Sequence, residues 1–233
     1  MAMKMFEAKA NTKDRKNVEQ KVSATCMIMI ISALIPFLII FDSVKFNAFD
    51  QSFYRSEFEK NDVYSKLPNA DEISSNLLFY LKYGDGTISS TDYSEKEISH
   101  LVDVRVLIQK GLLLLKILAV LFVVLIPALY FVSKKHFLTN ISKALMYGGI
   151  ASSAVLLLFS FVFMSFSSSF VSFHKIFFSN DNWLLSFDDT LIKLFPQQFF
   201  FDVAFRIFAF SIIASVAILL AGLAGYLYFK KQK

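Results

Sequence analysis

Residues that break or cross-link a chain are scarce in this sequence. Among 233 residues there are one cysteine, four prolines and seven glycines. Cys26 has no partner within the chain, which excludes an internal disulfide framework. At the start of an apolar run, a free thiol behaves as a small hydrophobe. The shortage of glycine and proline argues against long low-complexity loops, and no internal repeat is present. No glycine-rich phosphate loop, zinc-ribbon spacing or Gly-x-Ser-x-Gly elbow occurs. Charged residues are sparse too, at 18%, against 55% hydrophobic residues and a mean hydropathy of +0.53. Such a composition is too apolar for a soluble globule.

What the chain has in quantity is long apolar runs. Four are long enough to cross a bilayer, which needs about 20 residues. They predict spans over 22–41, 111–132, 144–166 and 206–229. The first is longer than the core of a secretory signal and no small-residue cleavage site follows it, so it reads as a retained anchor. The second is interrupted only by Lys116, under about 10 Å from its outer end at 1.5 Å per residue. That depth suits snorkelling to the headgroups or a contact to a lipid phosphate or ester. No span carries an ionisable residue near its middle, which argues against a channel or transporter.

Lys and Arg set the orientation. Residues 1–21 carry Lys4, Lys9, Lys13, Arg15, Lys16 and Lys21; residues 133–143 carry Lys134, Lys135 and Lys143; residues 230–233 carry Lys230, Lys231 and Lys233. The intervening stretches are acidic, with twelve Asp/Glu against eight Lys/Arg in 42–110 and four against two in 167–205. All basic segments then fall on one side, predicting both termini and the 133–143 loop in the cytoplasm. The formal charge of +5 is therefore a set of topological anchors rather than a nucleic-acid footprint. The expected fold is an all-α integral membrane protein of four transmembrane helices, with an extracytoplasmic cap formed by 42–110 and 167–205.

Residues 42–110 have the variety of a folded cap. Asp71 to Tyr83 reads as an amphipathic helix, with Leu77, Leu78 and Leu81 at helical spacing, ended by Tyr83-Gly84-Asp85-Gly86. Ser94 and Glu97 fit a capping box opening the next helix. Ile98, Leu101, Val102, Arg105 and Ile108 trace one face of it, and it is predicted to run straight into the second span. Residues 167–205 mix aromatic and polar side chains around a lone Trp183, as suits a headgroup region. They are expected to lie along the outer surface, with Ser167-Ser168-Ser169 closing the third span.

Three histidines are available for acid–base chemistry. His136, beside Lys134 and Lys135 in the 133–143 loop, reads as solvated or lipid-facing. His100 and His174 lie in different outer segments, yet the topology brings both to one interface. They form a candidate acid/base pair; two unrelated interfacial histidines are the plainer alternative. Three mechanisms compete: a non-covalent base and proton-transfer pair; a metal held by Glu97, His100, Asp103 and His174; or a His-activated outer serine such as Ser172 or Ser179. Cys26, at the cytoplasmic end of its span, cannot be an outer nucleophile. A metal-dependent hydrolase of lipids or membrane peptides is the alternative among enzymes, and a non-catalytic lipid- or lipoprotein-binding subunit is the rival from another class.

The segment Phe173-His174-Lys175-Ile176-Phe177-Phe178-Ser179-Asn180-Asp181-Asn182-Trp183, followed by Asp189-Thr190-Leu191-Ile192-Lys193-Leu194-Phe195-Pro196, resembles the signature of a bacterial integral-membrane family. So does Glu97-Ile98-Ser99-His100-Leu101-Val102-Asp103-Val104. The family is that of the lipoprotein intramolecular transacylases, Lit. The resemblance implies transfer of the sn-2 acyl chain of a diacylglyceryl-modified lipoprotein onto the α-amino group of its N-terminal cysteine, giving the lyso-form. It implies that His100 and His174 are catalytic, with no cofactor, no metal and no acyl-enzyme. Asp103 would orient His100, the plainer role being an ion pair with Arg105 or Arg206. Asn180, Asn182 and Trp183 would shape the pocket or the oxyanion site, Trp183 alternatively serving as an interface anchor. The expected partners are the lipoprotein substrate and membrane lipids, in a bacterial cell membrane, with the site at the outer leaflet and a monomer favoured.

Overall fold

The structure is a computed structural model that describes residues 2–84, 88 and 91–232, with side chains from Arg15 onward. The described residues form helices and turns, with no strand. In chain order the helices are α1 (Ala2–Ala48), α2 (Gln51–Lys60), α3 (Val63–Lys66), α4 (Ala70–Tyr83), α5 (Glu95–Ser133), α6 (Phe137–Phe159), α7 (Phe166–Phe177), α8 (Thr190–Leu194) and α9 (Gln197–Lys231). Three continuous helical stretches are long and apolar enough to cross a bilayer: Arg15–Ala48, Glu95–Phe177 and Gln197–Lys231. The middle one holds two of the four predicted runs. They are separated by a 3₁₀ turn at Lys134–His136, where Lys134 has a φ of 28°.

The chain divides into two compact units. The first comprises Met1–Ile39, Ile117–Val155 and Ile212–Lys233. Its core is a stripe on α1, Ala24, Ile28, Ile31, Ile35 and Ile39, recurring at three- and four-residue spacing against Leu129 and Ala144. The Ser32 hydroxyl donates to the carbonyls of Ile28 (2.7 Å) and Ala144 (3.1 Å), tying α1 to α6. Glycine makes room between α6 and α9. A Cβ on Gly149 would stand 2.7 Å from the Leu219 backbone, and one on Gly222 would overlap the Met146 amide. Outward-facing Val120, Val123, Ile150 and Ile213 remain exposed, as lipid-facing positions do.

The second unit comprises Ile40–Lys116 and Leu156–Ser211. Its core gathers Tyr54, Phe58, Leu77, Leu101, Leu194 and Phe199, with Phe58 and Leu194 wholly buried. Tyr54, Phe58, Phe195 and Phe199 meet mostly edge-to-face or tilted, the favoured aromatic arrangements. At the start of α2, Asp50 accepts from the Ser52 and Phe53 amides and from Arg206 at 2.7 Å.

Local signals placed both ends of α4 and the start of α5 within a residue. The amphipathic stretch predicted from Asp71 starts at Ala70, and its last turn is closed by Gly84 at φ 73°, which glycine adopts without steric cost. The rest of that predicted turn, Asp85 and Gly86, lies outside the described residues. The capping box forms: the Ser94 amide donates to Glu97 Oε2 at 2.7 Å, and the Glu97 amide donates to Ser94 Oγ at 3.3 Å. From there α5 runs on through the second predicted span.

Helices extend beyond the apolar runs, and one predicted face shifts. Helix α1 continues past Phe41 to Ala48, two residues before Asp50, the cap of α2. The face of α5 turned to the core carries Val104, not Val102, which is exposed. Ser167, Ser168 and Ser169 lie inside a helix, in the first turn of α7. The break comes earlier, in a 3₁₀ segment at Ser160–Ser165, and α7 restarts at Phe166. Ring contacts of Phe166 with Phe201 (5.3 Å) and of Phe170 with Phe200 (5.1 Å) hold this new helix against the start of α9.

Candidate active site

His100 sits in the second turn of α5 and His174 near the end of α7. Their ring centroids are 6.0 Å apart with the planes at 35°, and each residue is 9% exposed. Phe178, just past the end of α7, touches both imidazoles, edge-on to His100 at 5.1 Å and tilted on His174 at 5.6 Å. Trp183 lies tilted by 31° on His174 at 5.0 Å, and Phe170 is 4.4 Å away on its own helix. The pair is thus walled by aromatic rings.

The proton arrangement on His174 follows from its partner. Its Nδ1 lies 2.7 Å from the Phe170 carbonyl oxygen, which can only accept, so Nδ1 carries the hydrogen. In the neutral ring this leaves the lone pair on Nε2. His100 Nδ1 is buried and has no partner among the described residues. Burial, and then the neighbouring His174, push the His100 pKa down to about 4, against an upward pull from Asp103. Burial also lowers His174, opposed by its Phe170 hydrogen bond. Both rings lie outside the predicted spans and are neutral near pH 7. Neutral imidazole can accept a proton, which imidazolium cannot.

A run of contacts fastens the 178–191 segment to the first turns of α5. The Lys96 ammonium donates to the Leu184 carbonyl. Asn182 donates to Ser99 Oγ at 2.9 Å, and Asn180 to Asp103 Oδ2 at 2.9 Å. As α5 proceeds from 96 through 99 to 103, its partners fall from 184 through 182 to 180, so the loop runs antiparallel along the helix. Glu97 adds a second tie. One carboxylate oxygen takes the Ser94 amide and the other takes the Leu191 amide at 2.7 Å.

All six residues singled out from the sequence therefore converge here, in roles of different kinds. The two imidazoles adjoin each other, Trp183 packs at a tilt on one, and Asn180 and Asn182 act as a clasp to α5. Asp103 binds Asn180. The alternative partners weighed for Asp103 are engaged elsewhere: Arg105 donates to the Gly84 carbonyl and Arg206 to Asp50. Glu97, one of the four residues considered as metal ligands, accepts from two backbone amides, one at each oxygen. Among the described residues no three His, Cys, Asp or Glu side chains stand together as metal ligands. His136 is exposed in the 3₁₀ turn. Ser99 and Phe178 were not singled out beforehand, because their roles arise from partners about 80 residues away.

Comparison with known proteins agrees with this architecture. The family model of the lipoprotein intramolecular transacylase Lit matches residues 29–200. Solved structures of the membrane-integral lipoprotein intramolecular transacylase Lit from Bacillus cereus share the fold. One superposes with a TM-score of 0.64 at 24% identity, covering 91% of this chain and 98% of that one. Two histidine variants of that protein give 0.70 at 22% identity for the alanine form and 0.69 at 24% for the arginine form. They cover 92% and 94% of this chain and 97% of theirs. No protein of curated function matches. The family match takes in both histidine-bearing segments and most of the chain between and around them, and this chain belongs to the lipoprotein intramolecular transacylase Lit family of integral membrane acyltransferases.

Proposed function

We propose that the chain moves the sn-2 acyl group of a diacylglyceryl-modified lipoprotein onto the α-amino group of that lipoprotein's N-terminal cysteine, with His174 as base and His100 as its proton-transfer partner. The observation that carries this reading is the 6.0 Å approach of two imidazoles whose residues are 74 apart in sequence. The α-amine has a pKa near about 8 and must lose a proton to become acylated. His174 Nε2, the unprotonated nitrogen, takes that proton as nitrogen attacks the ester carbonyl. The C–N bond forms, the C–O bond to glycerol breaks, and the proton is returned to the departing glycerol oxygen. His100 lies close enough to share it or to steady the oxyanion. Nucleophile and ester belong to one molecule, where well-oriented reactions reach effective molarities of about 10⁵–10⁸ M. The protein's part is to fold the lipid back and handle one proton.

The same reading places residues 42–110 and 167–205 and their imidazoles at the outer leaflet of a bacterial membrane. It gives four spans, over 22–41, 111–132, 144–166 and 206–229, with residues 1–21, 133–143 and 230–233 in the cytoplasm. Its support is the segregation of basic and acidic segments. It takes the protein to be a monomer among membrane lipids. The transfer conserves mass, so the test is tandem mass spectrometry of lipoprotein N-termini from cells with and without the protein. The expected result is fragments of N-acyl-S-monoacylglyceryl-cysteine only where the protein is present; S-diacylglyceryl-cysteine in both would overturn the proposal.

A further inference from the structure

A cleft opens beside the histidine pair that the acyl transfer itself does not use. It is about 420 Å³ and is lined by Lys175, Phe178, Ser179, Asp181, Trp183 and Leu184, among others. That volume falls within the range of small-ligand sites, about 300–1,000 Å³. Phe178 and Trp183 are shared. On one side they contact the His174 ring at 5.6 and 5.0 Å, and they also form part of the cleft wall. The cleft therefore begins where the imidazole pair ends.

We infer that this cleft receives the polypeptide that follows the lipidated cysteine of the lipoprotein substrate; the inference rests on the reading of His174 as the base. Covalent geometry supplies the first argument. The reacting nitrogen is joined to Cα by about 1.46 Å and Cα to the carbonyl carbon by about 1.52 Å. Wherever the amine meets His174, the peptide leaves within a few ångströms of it; of the rings around His174, Phe170 and Phe173 belong to its own helix, and Phe178 and Trp183 are the ones that line the cleft. The lining supplies the second. An acyl chain needs only apolar walls, which the many exposed Phe, Leu and Ile side chains already offer. This cleft adds an ammonium (Lys175), a carboxylate (Asp181) and a hydroxyl (Ser179) to its aromatic wall. Such a mixture matches an extended backbone with its alternating N–H donors and C=O acceptors. Lys175 and Asp181 also make the cleft sensitive to charge in the residues after the cysteine, Lys175 favouring acidic and Asp181 basic ones.

The test uses the full-length protein in detergent and two kinds of substrate: S-diacylglyceryl-cysteine amide, which has no peptide, and diacylglyceryl lipopeptides of several residues, one acidic and one basic. For the unaltered protein, kcat/KM is expected to favour the lipopeptides by about tenfold, the scale of one charge-assisted contact. In Lys175→Glu the preference is expected to move from acidic towards basic lipopeptides, mainly through KM, and Asp181→Lys should move it the opposite way. Equal kcat/KM for the two kinds of substrate with the unaltered protein would overturn the inference without any variant. So would a Lys175→Glu effect that follows acyl-chain length and ignores the peptide. His174→Ala separates the two claims. If it abolishes turnover of both kinds of substrate, the base assignment stands whichever way the cleft experiment falls; if the cysteine amide is still turned over at full rate, both fall.

Discussion

The Glu97 carboxylate accepts a hydrogen bond from the Leu191 amide at 2.7 Å, joining the first turn of α5 to the start of α8 across 94 residues. The same side chain closes the capping box with Ser94. Glu97 is almost completely buried, at 2% exposed, and Leu191 is buried too, so the Leu191 amide left without it loses a partner and cannot regain water, whereas Ser94 is exposed. Glu97→Gln keeps one acceptor oxygen and Glu97→Ala keeps none. Each stranded buried donor costs about 1–3 kcal/mol. Thermal unfolding should rank wild type above Glu97→Gln above Glu97→Ala, and an unaltered melting temperature in the alanine variant would show that the tie carries no stability.

The clasp between Asn180 and Asp103 is a direct coupling. Alanine at either position removes the same 2.9 Å hydrogen bond. The double variant should therefore be less destabilised than the sum of the singles, by about 1 kcal/mol. Strict additivity in a denaturant double-mutant cycle would mean that the contact is absent in solution.

Glycine at 222 is a packing requirement. An added methyl would collide with the Met146 backbone, whereas one at Gly111 would find only Phe41 Cε1 at 3.8 Å. Overpacking costs about 1–3 kcal/mol, more when backbone must shift. Gly222→Ala should lower the melting temperature in detergent while Gly111→Ala leaves it close to wild type; equal melting temperatures would contradict the close approach of α6 and α9.

Protonation of the imidazoles is delayed on acidification. Burial and the nearby His174 hold His100 down to about 4, and burial lowers His174 as well, while an unfolded imidazole titrates near about 6.5. Between those values the unfolded chain binds more protons than the folded one. Stability present above pH of about 6.5 therefore declines as pH falls towards 4. Asp103→Asn removes the charge that pulls His100 upward and should depress its titration further. Imidazole NMR shifts followed against pH read this directly, and a His100 midpoint at 6.5 or above would refute it.

Much of this was legible in the sequence, for identifiable reasons. Ser94 and Glu97 are three residues apart, and a capping box is local chemistry, so the start of α5 could be read directly. The meeting of His100 and His174 followed from topology, because both precede or follow apolar runs on the same side of the charge pattern. The second oxygen of Glu97 was not legible, since nothing near residue 97 names Leu191. The same holds for Ser99 with Asn182. The α7 restart at Phe166 was masked by three serines whose weak helix preference is outweighed by aromatic contacts to α9. Glycine at 149 and 222 looked incidental until the neighbouring helix was in view.

The central claim, a proton passed between the amine and glycerol oxygen by these imidazoles, is tested by tandem mass spectrometry of a synthetic diacylglyceryl lipopeptide incubated with purified protein and its histidine variants. Loss of a positioned acid–base group typically costs about 10²–10⁴ in rate. His174→Ala and His100→Ala, folded by the same thermal criterion as wild type, should form the N-acyl isomer slower by at least about a hundredfold. Formation of that isomer at the wild-type rate by either variant would contradict the account.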